Sequence, residues 1–310
     1  MKQTLLIITF LLSGYLQNFA QNYETFVTEM KKLEQEEKEY SGILFRKNDY
    51  SAEYKKGFEP KLKKVREEKV TLARKAIEAN PDDKRFVDVL NFYLFNYLSI
   101  EELDRMLDRF TADARQHPMW KSMKSYVTYK PLNAVGHKAF DFTVKGHDGK
   151  KITLSKVLKK NKVVLVDFWA SWCGPCRASI PHLKEVYDTY KKQGFEILSV
   201  SLDDKADLWE KAFQSHALPW IDGSNLLGWE DPVAEKYAVR GIPHQVLIGR
   251  DGKILGIGFH KQGELEQTIG KYLQQHKERP IPAQNRVKTG NTNVTFPIHL
   301  LYTPYSRRFI

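Results

Sequence analysis

Apolar residues recur at helical spacing through the first third of the chain. Leu103, Met106, Leu107, Phe110 and Ala114 follow the i, i+3, i+4, i+7, i+11 stripe of a core-facing helix. Leu62, Val65, Leu72, Ala76 and Ile77 mark another, closed by Asn80-Pro81-Asp82-Asp83, which also starts the next helix. Phe86 to Leu98 is apolar nearly all round, which predicts a central, buried helix. Lys and Glu crowd Tyr54 to Lys69, as they do on a solvated helix face. The pattern predicts an all-α domain over residues 21–130, with no convincing internal repeat.

After Pro131 the period changes. Phe140 to Val144 and Ile152 to Leu154 flank Gly146-His147-Asp148-Gly149, a hairpin signal. Val163 to Val166 is a β-branched apolar run that suits a fully buried strand, and Glu196 to Leu202 predicts a second central strand. Between them Ile180, Leu183, Tyr187 and Tyr190 keep helical spacing. Asp231-Pro232 has the form of an N-cap followed by proline at the first helical position. Val246 to Ile248 and Ile254-Leu255 flank Arg250-Asp251-Gly252-Lys253, a second hairpin; Leu265, Ile269, Tyr272 and Leu273 end the pattern with a helix. Strands alternating with helices predict an α/β domain over residues 136–276, a mixed sheet with helices on both faces. Beyond His276 the chain is polar and irregular, a basic tail over residues 277–310.

Composition narrows the class. Of the 310 residues 42% are hydrophobic, enough for a real core, and charged residues at 28% argue against disorder throughout. Only the first twenty residues are uniformly apolar, which excludes a multi-span membrane protein. There Lys2, the apolar run Leu5 to Leu12 and Ala20 at a plausible cleavage point predict a secretory signal over residues 1–20. That run is too short to cross a bilayer, which takes about 20 apolar residues. The expected setting is therefore extracytoplasmic (periplasmic), with no integral membrane span after signal removal, or membrane-anchored if the signal is not cut. The net charge is +11, of which the last 34 residues supply +5. The two predicted domains are close to balanced, so a nucleic-acid partner is not expected.

The strongest chemical signal is Phe168-Trp169-Ala170-Ser171-Trp172-Cys173-Gly174-Pro175-Cys176-Arg177, which holds the chain's only two cysteines. The pair follows a predicted buried strand and opens a predicted helix. There the orphan N–H groups and the helix dipole favour a thiolate on Cys173. Cys176, one turn further in, is placed to resolve a mixed disulfide. Trp172 is placed to shield the sulfur from water. Other readings of the pair are a zinc site, a covalent haem site and a purely structural disulfide. The first needs two more ligands at comparable spacing, and the second needs histidine where Arg177 stands. The third closes a ring too small to constrain much of the unfolded chain.

At these residues, and over about Gly136 to Leu273, the chain resembles the thioredoxin superfamily. The specific likeness is to extracytoplasmic thiol–disulfide oxidoreductases of the TlpA/ResA type, related to bacterial cytochrome c maturation reductases. Val135 to Phe142 looks like the family's opening strand, and Trp209, Leu218 and Trp220 fall in an insertion typical of this branch. Arg240-Gly241-Ile242-Pro243 resembles the loop that carries the family's cis-proline. The resemblance implies a thioredoxin-like fold preceded by a separate all-α domain. It also implies a redox-active Cys173–Cys176 disulfide, catalysis by Cys173, Cys176 and Asp167, and substrate contacts by Trp172, Ile242, Pro243 and His244. Asp167 stands at the place of the buried acid of thioredoxins; where many relatives have glutamate three residues after the second cysteine, this chain has Ser179. His244 either tunes the dithiol or faces solvent. No metal and no separate cofactor are expected. The expected partners are disulfide-bearing client proteins and a membrane thiol electron donor, with reduction as the favoured direction. Two alternatives stand beside this one. The helical domain could bind a partner, with redox activity secondary. A peroxiredoxin-like peroxidase is the other, although Ala170 occupies the place where that class has Thr or Ser.

Overall fold

The computed structural model describes residues 22–45, 50–259, 261 and 263–276; the expected signal and basic tail lie outside the described residues. The first region is helical: α1 (Tyr23–Phe45), α2 (Ala52–Lys56), α3 (Glu59–Ala79), α4 (Arg85–Val89), α5 (Ile100–Leu107) and α6 (Pro118–Tyr129). Their apolar stripes close one core of Phe26, Met30, Ile77, Phe86, Leu90, Leu94, Leu103 and Met123. Local chemistry fixes the start of α5. Ser99 Oγ accepts the Glu102 N–H at 3.2 Å while Glu102 Oε2 accepts the Ser99 N–H at 2.9 Å, a complete capping box.

Two expectations for this region are corrected. Phe86 to Leu98 is not one buried helix: α4 ends at Val89 and passes into a single π-helical stretch, Leu90–Leu94. The wider turn keeps Leu90 and Leu94 in the core but turns Phe92 outward, 75% exposed. The stripe from Leu103 is also shorter than expected. Helix α5 stops at Leu107, and Phe110 and Ala114 reach the same core from a turn and the 3-10 segment Ala114–Gln116.

The second region is a seven-stranded mixed sheet in the order β2-β1-β5-β4-β3-β6-β7. Its strands are β1 (Thr143–Gly146), β2 (Lys151–Thr153), β3 (Val163–Trp169), β4 (Phe195–Ser201), β5 (Ile221–Ser224), β6 (His244–Gly249) and β7 (Ile254–Ile257). β3 pairs parallel with β4 and β4 with β5, while β6 runs antiparallel to β3. Both predicted hairpins form, but β1 begins only at Thr143, so the expected opening strand Val135 to Phe142 is reduced to a lone bridge between Lys138 and Lys253, and Leu154 starts α7 (Leu154–Lys160) instead of ending β2. The other helices are α8 (Gly174–Tyr190), α9 (Ala206–His216), α10 (Pro232–Lys236) and α11 (Glu264–Gln275).

Successive side chains of a strand face opposite ways, so β3 serves two cores at once. Val163, Leu165 and Trp169 pack with Ile180 and Leu183 of α8 and Ile269 of α11. Val164, Val166 and Phe168 pack with Val157 of α7 and Val233 of α10. Each such buried aliphatic side chain contributes about 1.5–3 kcal/mol, which is why Val163 to Val166 reads as an unbroken apolar run. β5 and α9 were not singled out by pattern. Gly223 of β5 shows why its neighbours constrain it: a Cβ there would lie 2.6 Å from Val144 Cγ2 on β1.

Candidate active site

β3 delivers the chain to the site, and the loop after it is tied down by Asp203. Asp203 Oδ2 accepts the Ser171 N–H at 2.9 Å and the Ser201 hydroxyl at 2.7 Å, which anchors the segment before the cysteines to the end of β4. Cys173 then caps α8. It is extended, with φ −82° and ψ 102°, and its Sγ accepts the Cys176 N–H at 3.1 Å. Pro175 stands in the first turn, where its missing N–H costs nothing. The two cysteines form a disulfide, S–S 2.03 Å. When that bond is reduced, the same N–H and the helix N-terminus stabilise negative charge on Cys173, the first sulfur of the motif.

Both cysteines are nearly covered, with Cys173 4% and Cys176 2% exposed. Trp172 beside them is 51% exposed. Its ring lies 6.1 Å from that of Trp229, and with Leu226 and Leu227 the two tryptophans line an open cavity of about 710 Å³. Across from the dithiol, Ile242–Pro243 is a cis peptide, and the Ile242 carbonyl oxygen lies 3.6 Å from Cys173 Sγ. His244 opens β6 opposite Phe168, with the rings 5.9 Å apart, so its ring shares Phe168's side of the sheet. Ser179 donates to the Cys176 carbonyl at 2.8 Å, a helix-internal bond.

Asp167 lies between Leu165 and Trp169 in the alternation of β3, on the face where Cys173 and Cys176 pack. Its Oδ1 accepts from Gln245 Nε2 at 3.1 Å. Burial is the main cause that raises its pKa to about 7, with the nearby Asp222 carboxylate adding to it and the Gln245 bond opposing.

Asp222 is one residue that sequence reasoning missed. It stands two strands away in the same row, because Asp167 pairs with Ser199 and Ser199 with Asp222. Three donors converge on it: Trp169 Nε1 at 2.9 Å, Trp209 Nε1 at 2.7 Å and His147 Nε2 at 2.9 Å. Burial raises its pKa while these bonds work against the rise. The His147 ring stacks on Trp209 and Phe213 at 3.9 Å each. A buried carboxylate and two indole donors form a polar cluster behind the dithiol. In the sequence only the tryptophans gave a sign of it.

A mixed sheet of this order, with a Cys-x-x-Cys pair capping the helix after a central strand, defines a thioredoxin-like thiol–disulfide oxidoreductase. Residues 135–257 match the model of the AhpC/TSA family. The chain is 32% identical over 143 residues to thiol-disulfide oxidoreductase ResA of Bacillus cereus, covering 44% of this chain and 78% of that protein. It is also 32% identical over 130 residues to ResA of Geobacillus thermodenitrificans, covering 42% and 72%. Among solved structures, the thioredoxin domain of a Bacteroides vulgatus thiol-disulfide oxidoreductase is 31% identical, covering 45% of this chain and 98% of that one at a TM-score of 0.42. The chain belongs to the ResA-type thiol–disulfide oxidoreductases. It is an enzyme of disulfide exchange, and its substrates carry disulfides.

Proposed function

We propose that the Cys173–Cys176 dithiol reduces disulfides of extracytoplasmic client proteins. The observation that carries the exchange chemistry of this reading is the 3.1 Å bond from the Cys176 N–H to Cys173 Sγ at the start of α8, which favours a thiolate on the attacking sulfur. The Cys173 thiolate attacks one sulfur of the client disulfide. That S–S bond breaks as the mixed disulfide forms, and the second client sulfur leaves as a thiolate and takes a proton. Asp167 accepts the Cys176 proton, and the Cys176 thiolate then attacks Cys173 Sγ and releases the client's remaining sulfur. Two electrons reach the client and the enzyme is left with its Cys173–Cys176 disulfide. A second dithiol, which we assign to a membrane electron donor, returns it to the reduced state; no separate cofactor takes part.

Trp172, Ile242 and Pro243 form the client-facing side in this reading; His244 follows them in the chain, but its ring lies on the Phe168 face of the sheet, opposite the one where the cysteines pack. The reducing direction is favoured by Gly174-Pro175 between the cysteines. The predicted signal over residues 1–20 supplies the extracytoplasmic setting, and no described helix is long and apolar enough to cross a membrane. A peroxidase reading would need a hydroxyl three residues before Cys173, and Ala170 there is fully buried. The test is insulin reduction with dithiothreitol as electron source, alongside peroxide consumption. The expected result is insulin reduction that Cys173→Ser abolishes, with no peroxide turnover. Insulin left intact, or peroxide consumed at the faster rate, would overturn the proposal.

A further inference from the structure

The segment entering the Ile242–Pro243 loop is gripped by the helical region. Arg240 Nη2 donates to Asn91 Oδ1 at 2.7 Å and Nη1 to Ser122 Oγ at 2.9 Å. Asn91 lies in the π-helical stretch and Ser122 in α6, so one guanidinium spans two helical elements. Its carbon sits 4.4 Å from the Phe95 ring centroid and 5.9 Å from that of Tyr126. Among the described residues, no carboxylate lies within ion-pair distance of it. A planar fork held on two neutral oxygens and stacked on an aromatic face has little freedom to turn.

The adjoining contacts run the same way. Ser125 of α6 donates to Glu235 of α10 at 2.6 Å, and Asn133 Nδ2 donates to the Lys236 carbonyl at 2.7 Å. The stretch just before Arg240 is thus held by the helices as well. Two residues past Arg240, the Ile242 carbonyl lies 3.6 Å from Cys173 Sγ. Two residues of chain span at most about 7 Å, so where Arg240 is held limits where Ile242 can be.

We propose that Arg240 is a positioning residue for disulfide exchange: anchored on Asn91 and Ser122, it sets the place of the Ile242 backbone beside Cys173, and through it the helical region governs how tightly a client polypeptide is held. The inference rests on the reductase reading for its consequence but not for the coupling itself.

Two measurements on the full chain test it. In the first, KM and kcat are measured for reduction of a synthetic peptide carrying one disulfide. Arg240→Ala is expected to raise KM about tenfold with kcat changed less than about twofold. The double variant Asn91→Ala/Ser122→Ala, altered only on the helical side, is expected to match it. Combining all three changes should add little, and Arg240→Lys should recover part of the loss because it restores the cation but not the fork. In the second, amide hydrogen exchange is followed across residues 238–245, where the Asn91/Ser122 double variant should exchange about tenfold faster. Unchanged exchange in that variant would overturn the coupling whatever the enzyme's reaction. So would a fall in kcat alone in proportion to lost folded protein. If the wild-type chain reduced no peptide, the reductase reading would fall while the exchange experiment still decided the coupling.

Discussion

In the sheet region β3 buries all seven of its residues, whereas the 23-residue α1 of the helical region buries only Phe26 and Met30. A central strand meets a covered face on either side and finds its backbone partners in its neighbours. A peripheral helix has one inward stripe and leaves the rest to water. The consequence is chemical. Asp167 sits in the most enclosed of the described strands, where lost solvation lifts its pKa to about 7, the range that the proposed proton transfer from Cys176 calls for. The carboxylates of the helical region lie outside such a setting: Glu37 meets Arg66 and Lys69 at 2.8 Å each, tying α1 to α3. One region offers a dry site for exchange, and the other offers a grip on the loop that faces it.

The contrast can be broken at several points. The largest effect is expected from Cys173→Ser, which should lower disulfide-reductase turnover by about 10³-fold or more while the fold stays intact by circular dichroism. Asp167→Asn comes next, with resolution of the mixed disulfide slowed by about 100-fold in single-turnover kinetics near neutral pH. The same variant has a signature in stability. An acid whose folded pKa is raised stays protonated in the native state while the unfolded chain ionises, so stability falls as pH climbs from about 4 to about 7 and then levels off. Asp167→Asn removes that penalty. It should show no gain at pH 3.5 and a gain of up to about 4 kcal/mol at pH 8 in urea unfolding. A gain of equal size at both pH values would contradict the buried acid.

Smaller effects separate the regions by packing. Leu165→Ala removes a fully buried side chain from β3 and should cost about 2–5 kcal/mol. Phe92→Ala, at an exposed position of the helical region, should stay within about 0.5 kcal/mol of wild type. Ser99→Ala opens the capping box of α5 and should cost about 1 kcal/mol. Denaturant midpoints of the three variants give the order directly.

Legibility followed the same division. The unbroken run Val163 to Val166, the hairpin turns and the Cys-x-x-Cys pair are local features, and each stands in the structure where its pattern put it. β5 was hidden because Ile-Asp-Gly-Ser has no apolar run. Its strand state comes from pairing with β1 and β4, and its buried Asp222 is tolerated because three distant donors reach it. Asp203 and the contacts of Arg240, a residue read only as part of the cis-proline loop, were equally hidden, since Ser171 and Asn91 lie 32 and 149 positions away in the chain. Phe92 misled for the opposite reason: it lies in a mostly apolar stretch, and one wide turn of backbone put it on the outer side with Leu90 and Leu94 inside.

The central claim is that Cys173 takes the client and Cys176 releases it. The most direct measurement is mass spectrometry of the Cys176→Ser variant after mixing with a disulfide-bearing client protein. The account predicts an intermolecular disulfide on Cys173 that persists until dithiothreitol is added, and none with Cys173→Ser. A stable adduct on Cys176 in Cys173→Ser, with none on Cys173 in the partner variant, would contradict it.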